Sequence, residues 1–288
     1  MNERTNRVVV VTDSASALSQ DQIAENRLFV ARMEITIDGR TYVDGSDGGL
    51  DDFYSQLAVA TEIPTTSAPR PAEYLERFRA ASEIGNDIFC VSVSARLSAA
   101  YDAAKLAAEM ISDERSDVTV RVFDSEAAAS SQALIALGAA RVAMAGGSLD
   151  EVEAVARSVA GKVRLVAMLD TLKFIHRSGR VPKIAVWVSS ALNIKPVMEY
   201  STDKIGAIGR PRSIRKALKR IQDEMNSDLA GKSAHVNVMH AGAPDRAEIL
   251  RSWVEANLEC PEFFVTQFHP FMGAHTGPGL VGASWWAE

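Results

Sequence analysis

Apolar positions along the chain follow two rhythms, one that predicts buried strands and one that predicts helices. RVVVVTDS, residues 7–14, is an unbroken apolar run ending in Thr12, Asp13 and Ser14, the pattern of a strand buried on both faces with polar residues at its carboxyl end. DIFCVSVS and TVRVFDS repeat it, the second closing on Asp124 and Ser125. Helical patterns follow: LSAAYDAAKLAAEMI spaces Leu97, Tyr101, Ala104, Ala108 and Ile111 along one face, and SQALIALGAARVAMAG is alanine-rich throughout. Three such strand, hydroxyl and helix units in the first half predict a parallel sheet, and ligands of such sheets gather at the carboxyl ends of the strands.

Between these units the chain reads differently. Ser19 and Gln22 form a capping box for a short helix, and FVARMEITIDGRTYVDG alternates as strands about an Asp38-Gly39 turn. LDDFYSQLAVA and PAEYLERFRAAS read as helices, the second opening on a proline whose missing N–H costs nothing there. EIPTTSAPRP between them reads as a constrained polar loop.

After about residue 160, KVRLVAML, IKPVMEY, KIGAIGR, AHVNVMH, EFFVTQF and LVGASWW are strand candidates, separated by helices such as IRKALKRIQDEM and RAEILRSWVEANL. This predicts a mixed or antiparallel sheet with helices of its own. The fold expected is therefore α/β in two domains: a Rossmann-like parallel domain over residues 1–160, and a mixed-sheet domain over residues 161–288. HTGPG, residues 275–279, reads as a tight turn into the last strand, which leaves His275 and Thr276 without a reason.

Composition narrows the function classes. The 288 residues are 47% hydrophobic and 24% charged, with a mean hydropathy of -0.02, as in soluble globular chains. A net charge of -6 argues against a broad nucleic-acid footprint. The apolar run after MNERTNR is too short for a signal peptide or a membrane span, so the expected location is the cytoplasm, without stable membrane insertion. Cys90 and Cys260 lack CxxC or Cys/His spacing and read as inert thiols.

Catalytic constellations are scarce. GxSxG, HExxH, GxxxxGK[ST] and GxGxxG after a strand do not occur. His176, His235, His240, His269 and His275 have no carboxylate spacing that makes a metal site, so no metal or cofactor is expected. Hydroxyls of Thr66, Ser67, Ser94 and Ser98 fall at or just before predicted helix N-termini, where free N–H groups and the helix dipole favour a carboxylate or phosphate. The plainer reading makes them N-caps worth about 1 kcal/mol each, and both readings stand. LKFIHRSGRVPK and GRPRSIRKALKR are basic runs, either solvated faces or docking patches.

The ordered motifs VTDSASAL (11–18), DGRTYVDG (38–45), PTTSAPRPAEYL (64–75), VFDSEAAASSQALIALGAA (122–140), LDTLKFIHRSGRVPK (169–183), LNIKPVM (192–198) and HTGPGLVG (275–282) together resemble the DegV family of bacterial lipid-binding proteins. The resemblance runs nearly the full length. It implies that a long-chain fatty acid is held in an interior tunnel that the second domain closes. It implies also that the carboxylate is presented to a separate ATP-dependent fatty acid kinase, giving an acyl phosphate for phospholipid synthesis. The chain itself would then be a binding subunit and not an enzyme.

By motif, the resemblance assigns the ligand to Thr66, Ser67, Ser94, Ser98, His275 and Gly277, places Arg212 near the headgroup or docking surface, and makes Arg180 and Lys183 partner-docking residues. The alternative is a small-molecule kinase subunit, acting on a carbonyl compound such as dihydroxyacetone through a covalent histidine adduct. Three departures from the family pattern bear on the site. Ser94-Ala95-Arg96-Leu97-Ser98-Ala99-Ala100-Tyr101 has lost a serine, a glycine and a threonine, Arg70 replaces an N-cap serine, and Ser178 replaces a glycine before Gly179-Arg180.

Overall fold

The computed structural model describes residues 7–45, 50–60, 62, 64–181, 194–201 and 204–288. Contacts divide the chain into two compact units, Met1–Glu34 with Ser67–Gly161, and Ile35–Thr66 with Lys162–Glu288. Residues 35–66 thus group with the C-terminal unit, whereas the sequence pattern, read linearly, assigns them to the first domain.

The first unit is built on a parallel sheet of β1 (Val8–Asp13), β2 (Phe29–Ala31), β6 (Asp87–Ser92) and β7 (Thr119–Asp124), in the order β2-β1-β6-β7. All six residues of β1 are buried, as its unbroken apolar run requires. Helices α1 (Gln20–Glu25), α3 (Pro71–Ser82), α4 (Ala100–Glu114), α5 (Ala129–Met144) and α6 (Leu149–Ala160) complete it. The capping box of α1 forms as read, with Ser19 accepting from Gln22 N and Gln22 accepting from Ser19 N.

Two readings shift. α4 starts at Ala100, not at Leu97, and buries Ala100, Ala104, Ala107 and Ile111, because residues 95–97 form a turn ahead of it. α6 carries its own capping box, Ser148 with Glu151, and was not among the predicted helices. It packs on α5, which is why that alanine-rich helix is buried on nearly every side.

The second unit holds β8 (Arg164–Met168), β9 (Val197–Tyr200), β10 (Ile205–Gly209), β11 (Ser233–His240), β12 (Glu259–Gln267) and β13 (Val281–Ala287) in the order β10-β9-β8-β13-β11-β12. Only the β11–β12 pairing is parallel among the described strand pairs of this sheet, so the sheet is mixed as expected. Helices α8 (Ile214–Leu229) and α9 (Pro244–Asn257) cover it. Ala217, Leu218, Ile221, Met225 and Leu229 of α8 interlock with Val236, Val238 and Trp285 in the core, a helical stripe meeting a strand's inner face.

β3 (Glu34–Ile37), β4 (Arg40–Val43) and β5 (Thr65–Ser67) form a separate small sheet in the order β4-β3-β5, with α2 (Leu50–Val59) following β4. Asp38 and Gly39 turn between β3 and β4 with φ of 47° and 77°, the left-handed pair a two-residue hairpin needs. The PTTS segment, read as loop, instead contributes β5. Two short helices, α7 (Lys173–Arg177) and α10 (Pro270–Thr276), complete the unit. No described helix is long and apolar enough to cross a membrane.

One register positions the site. β13 lies between β8 and β11, antiparallel to both, and its first residue Val281 pairs with Met168 at the end of β8 and with His240 at the end of β11. The residues just before β13, HTGPG, therefore sit over the carboxyl ends of two strands.

Candidate functional site

In the second unit the site is built around α10. Proline at its first turn needs no N–H partner, and Asp44, fully buried after β4, accepts from Phe271 N at 3.0 Å. The helix stops at Gly277, whose φ of 78° and ψ of 167° fall in a region essentially closed to side-chain-bearing residues. A Cβ there would also stand 2.3 Å from Phe174 Cδ2. HTGPG is thus a helix end followed by a turn, and His275 belongs to the helix. That correction supplies the reason missing from the turn reading: the helix aims the imidazole inward.

His275 is 8% exposed. Its Nε2 lies 3.0 Å from Thr66 Oγ1, and the ring edge meets Phe271 at 5.0 Å and 80°. Burial, followed by the positive charge of Arg180, pushes its pKa down to about 3, so the imidazole is neutral at pH 7 and carries a single N–H. Thr66 is the middle residue of β5, half-buried, while Thr65 and Ser67 are exposed. Alternation along a strand turns Thr66 one way and Ser67 the other, so Ser67 does not join this pair.

The basic residues separate. Arg180 is half-buried, with Nη1 donating to the Ser178 carbonyl at 2.9 Å. Arg212 is exposed on the turn between β10 and α8. Lys183 lies outside the described residues, as do Pro182 and residues 192–193 of the LNIKPVM motif.

In the first unit, polar groups collect at the carboxyl ends of β1, β6 and β7. The buried Asp13 carboxylate accepts from Ala15 N (3.2 Å) and Gln132 Nε2 (3.0 Å) at Oδ1, and from Val93 N (2.8 Å) and the Tyr74 hydroxyl (3.2 Å) at Oδ2. Burial pushes its pKa up, and the four donors oppose that. Gln132 Nε2 also reaches Thr12 Oγ1 at 3.1 Å.

Through Val93 this network sets the start of the following turn. Ser94 N donates to the Ala127 carbonyl at 2.8 Å, and the Ser94 carbonyl accepts from Leu97 N and Ser98 N. The Ser94 hydroxyl is fully buried and has no hydrogen-bond partner among the described residues. An orphaned buried hydroxyl is costly, which sets Ser94 apart from the bonded hydroxyls of Thr12 and Ser98.

The N-cap reading divides residue by residue. The α3 N-cap is Arg70, without a side-chain cap bond, so neither Thr66 nor Ser67 caps it. Ser98 Oγ accepts from Ala100 N at 3.2 Å, a serine turn just ahead of α4, whose N-cap is Ala99 without a side-chain cap bond. Ser94 caps nothing with its side chain. Gln132 and Tyr74 were not singled out from sequence. A lone amide in an alanine-rich helix was the available signal for Gln132, and Tyr74 gave none, since a tyrosine on a helix reads as core.

The chain is similar to known proteins over almost its whole length. The DegV family model matches residues 7–288. A DegV domain-containing protein of Listeria innocua is 30% identical over 287 residues, covering 99% of each chain, and one of Streptomyces coelicolor is 30% identical, covering 96% of each. Among solved structures, a DegV family protein from Thermus thermophilus described as fatty-acid-binding superposes with a TM-score of 0.90 at 26% identity, covering 98% of this chain and 100% of that one. DegV of Bacillus subtilis, described as a fatty acid binding protein, gives 0.87 at 23% identity, covering 99% and 100%, and shows the shared fold.

Proposed function

The chain belongs to the DegV family, and from that premise we propose that it binds one long-chain fatty acid in an apolar tunnel and presents the carboxylate to a separate ATP-dependent fatty acid kinase. The observation that carries the reading is the contact of the half-buried Thr66 with the buried His275, 3.0 Å apart. The hydroxyl and the neutral imidazole carry one donor hydrogen each; one joins the two residues and the other is left to keep a desolvated carboxylate from being unpaired. The relatives from Thermus thermophilus and Bacillus subtilis, described as binding fatty acids, support the ligand class.

The division of labour follows from magnitudes. Fifteen CH2 groups at about 0.8 kcal/mol each give roughly 12 kcal/mol of gross apolar stabilisation, so the tail supplies affinity and the polar groups set orientation. Among the first unit's residues, Ser94 is the one assigned to a ligand's polar end, on the strength of its orphaned hydroxyl. Ser98, already bonded to Ala100 N, and Ser67, on the far face of β5, are weaker assignments. Gly277 acts by ending α10. Arg180 and Lys183 are assigned to docking of the kinase, and Arg212 to the headgroup or the docking surface. In this reading the phosphoryl transfer, and the acyl phosphate that feeds phospholipid synthesis, belong to the kinase.

Native mass spectrometry of the purified chain incubated with oleate is expected to find one acyl chain per molecule, and kinase with ATP is expected to convert it to acyl phosphate. A chain that stays empty overturns the reading. A covalent carbonyl adduct on His275 in the same spectra would favour the dihydroxyacetone-type alternative.

A further inference from the structure

We propose that Asp170 and Arg246 are positioning residues for His275: their ion pair pins the turn that ends its helix, and thereby sets the Thr66–His275 contact. The proposal rests on the fatty-acid reading for its affinity arm alone.

The helix that bears His275 is seven residues long, too short to hold its direction by itself, so its orientation depends on what grips each end. At the start, Asp44 holds Phe271 N. At the end, the Gly279 residue is gripped twice: Gly279 N donates to the Ala241 carbonyl at 2.7 Å, and the Gly279 carbonyl accepts from Arg246 Nη1 at 2.7 Å. The same Nη1 reaches Asp170 Oδ1 at 2.8 Å, and that oxygen also accepts from Lys195 Nζ at 2.9 Å. Burial pushes the Asp170 pKa up, and Lys195 and Arg246 outweigh it, leaving the carboxyl below its ordinary value.

The geometry has little slack. A Cβ on residue 279 would come within 2.8 Å of Asp170 Cβ and 2.9 Å of Arg246 Nη1, so the absence of a side chain at 279 is what lets the ion pair reach the backbone. Asp170 follows β8, Lys195 precedes β9, and Arg246 sits in the first turn of α9. Three separate segments therefore converge on one carboxylate, and the guanidinium it holds delivers its second bond to the carbonyl four residues after His275. An ion pair kept for packing alone has no need of that carbonyl.

The test uses Arg246→Lys and Arg246→Met in the full-length chain. Lysine keeps the charge and the stem but ends about one C–N bond, roughly 1.3 Å, short of Nη1. The readouts are the His275 Cε1–Hε1 NMR peak, assigned by its loss in His275→Gln, and the Kd for oleate. Both variants are expected to move the peak toward its position in Thr66→Val and to raise Kd, by roughly threefold for lysine and tenfold for methionine. A folded variant that melts earlier yet keeps the wild-type peak and Kd makes the pair merely structural and overturns the proposal. If Arg246→Met does not fold, Arg246→Lys decides. If the wild-type chain binds no oleate, the fatty-acid reading fails while the NMR peak still tests the positioning.

Discussion

Replacing Gly277 with alanine tests the link between helix end and site most directly. The substitution asks a β-carbon to occupy φ 78°, ψ 167°, at a backbone cost of about 1–3 kcal/mol. The same Cβ meets the Phe174 ring at 2.3 Å, and overpacking of that kind costs a further ~1–3 kcal/mol. The sum is about 2–6 kcal/mol. Gly39→Ala is the internal reference, because Gly39 has a similar φ of 77° and no heavy atom within 4 Å of the added Cβ; it carries a left-handed backbone cost of about 1–2 kcal/mol and no clash.

Scanning calorimetry reads the difference. At about 2–4 °C per kcal/mol for a folding unit of this size, Gly277→Ala is expected to lower the melting temperature by roughly 5–20 °C, and Gly39→Ala by only a few degrees. Combining Gly277→Ala with Phe174→Leu should cost less than the sum of the two, since the smaller side chain relieves the clash. A Gly277→Ala shift no larger than that of Gly39→Ala, or strict additivity with Phe174→Leu, would refute the reasoning.

Asp13→Asn is expected to destabilise the first unit by about 1–3 kcal/mol in urea, because the amide N–H2 faces a backbone N–H in either orientation, Ala15 at the Oδ1 position or Val93 at the Oδ2 position; wild-type stability there would refute a donor-only surround. Thr66→Val is expected to weaken oleate binding by roughly 3–10-fold, the worth of one hydrogen bond, measured by fluorescence displacement, and to lower the melting temperature by a few degrees, because the buried His275 loses its partner. His275, with a pKa near 3 when folded and about 6.5 when unfolded, binds more protons in the unfolded chain between those values, so its contribution to stability is lost as pH falls from 6.5 toward 3. Between pH 7 and 4.5 the wild type should therefore lose about 2–3 kcal/mol more than His275→Gln, and equal losses would mean the imidazole is not held neutral.

The fold was legible where a residue's environment depends on its neighbours in sequence. β1 declares itself because a parallel strand covered on both faces must be apolar throughout, and the capping boxes of α1 and α6 are local hydrogen-bond chemistry. What escaped was the assignment of residues 35–66. Their strands alternate like any others, and whether they join one compact unit or the other is decided by long-range contacts that leave no periodic trace.

The candidate site was legible for the same kind of reason, and illegible for the same kind. Gly277 and Gly279 stand out because backbone geometry demands them, and motif resemblance brought in His275 and Thr66, 209 residues apart. Ser67 came in as a hydroxyl of the same PTTS motif, and the two-residue period of β5 turns it away from the face that Thr66 shares with His275. Asp170 lies in the LDTLKFIHRSGRVPK motif but has no role there, and Arg246 lies in none, since a carboxylate after one strand and an arginine in the first turn of a helix read as ordinary surface residues until the sheet order β8-β13-β11 brings their elements to either side of β13. Charges that matter by converging on a backbone carbonyl have no sequence spacing, so the supports of a site stay hidden longer than the groups they support.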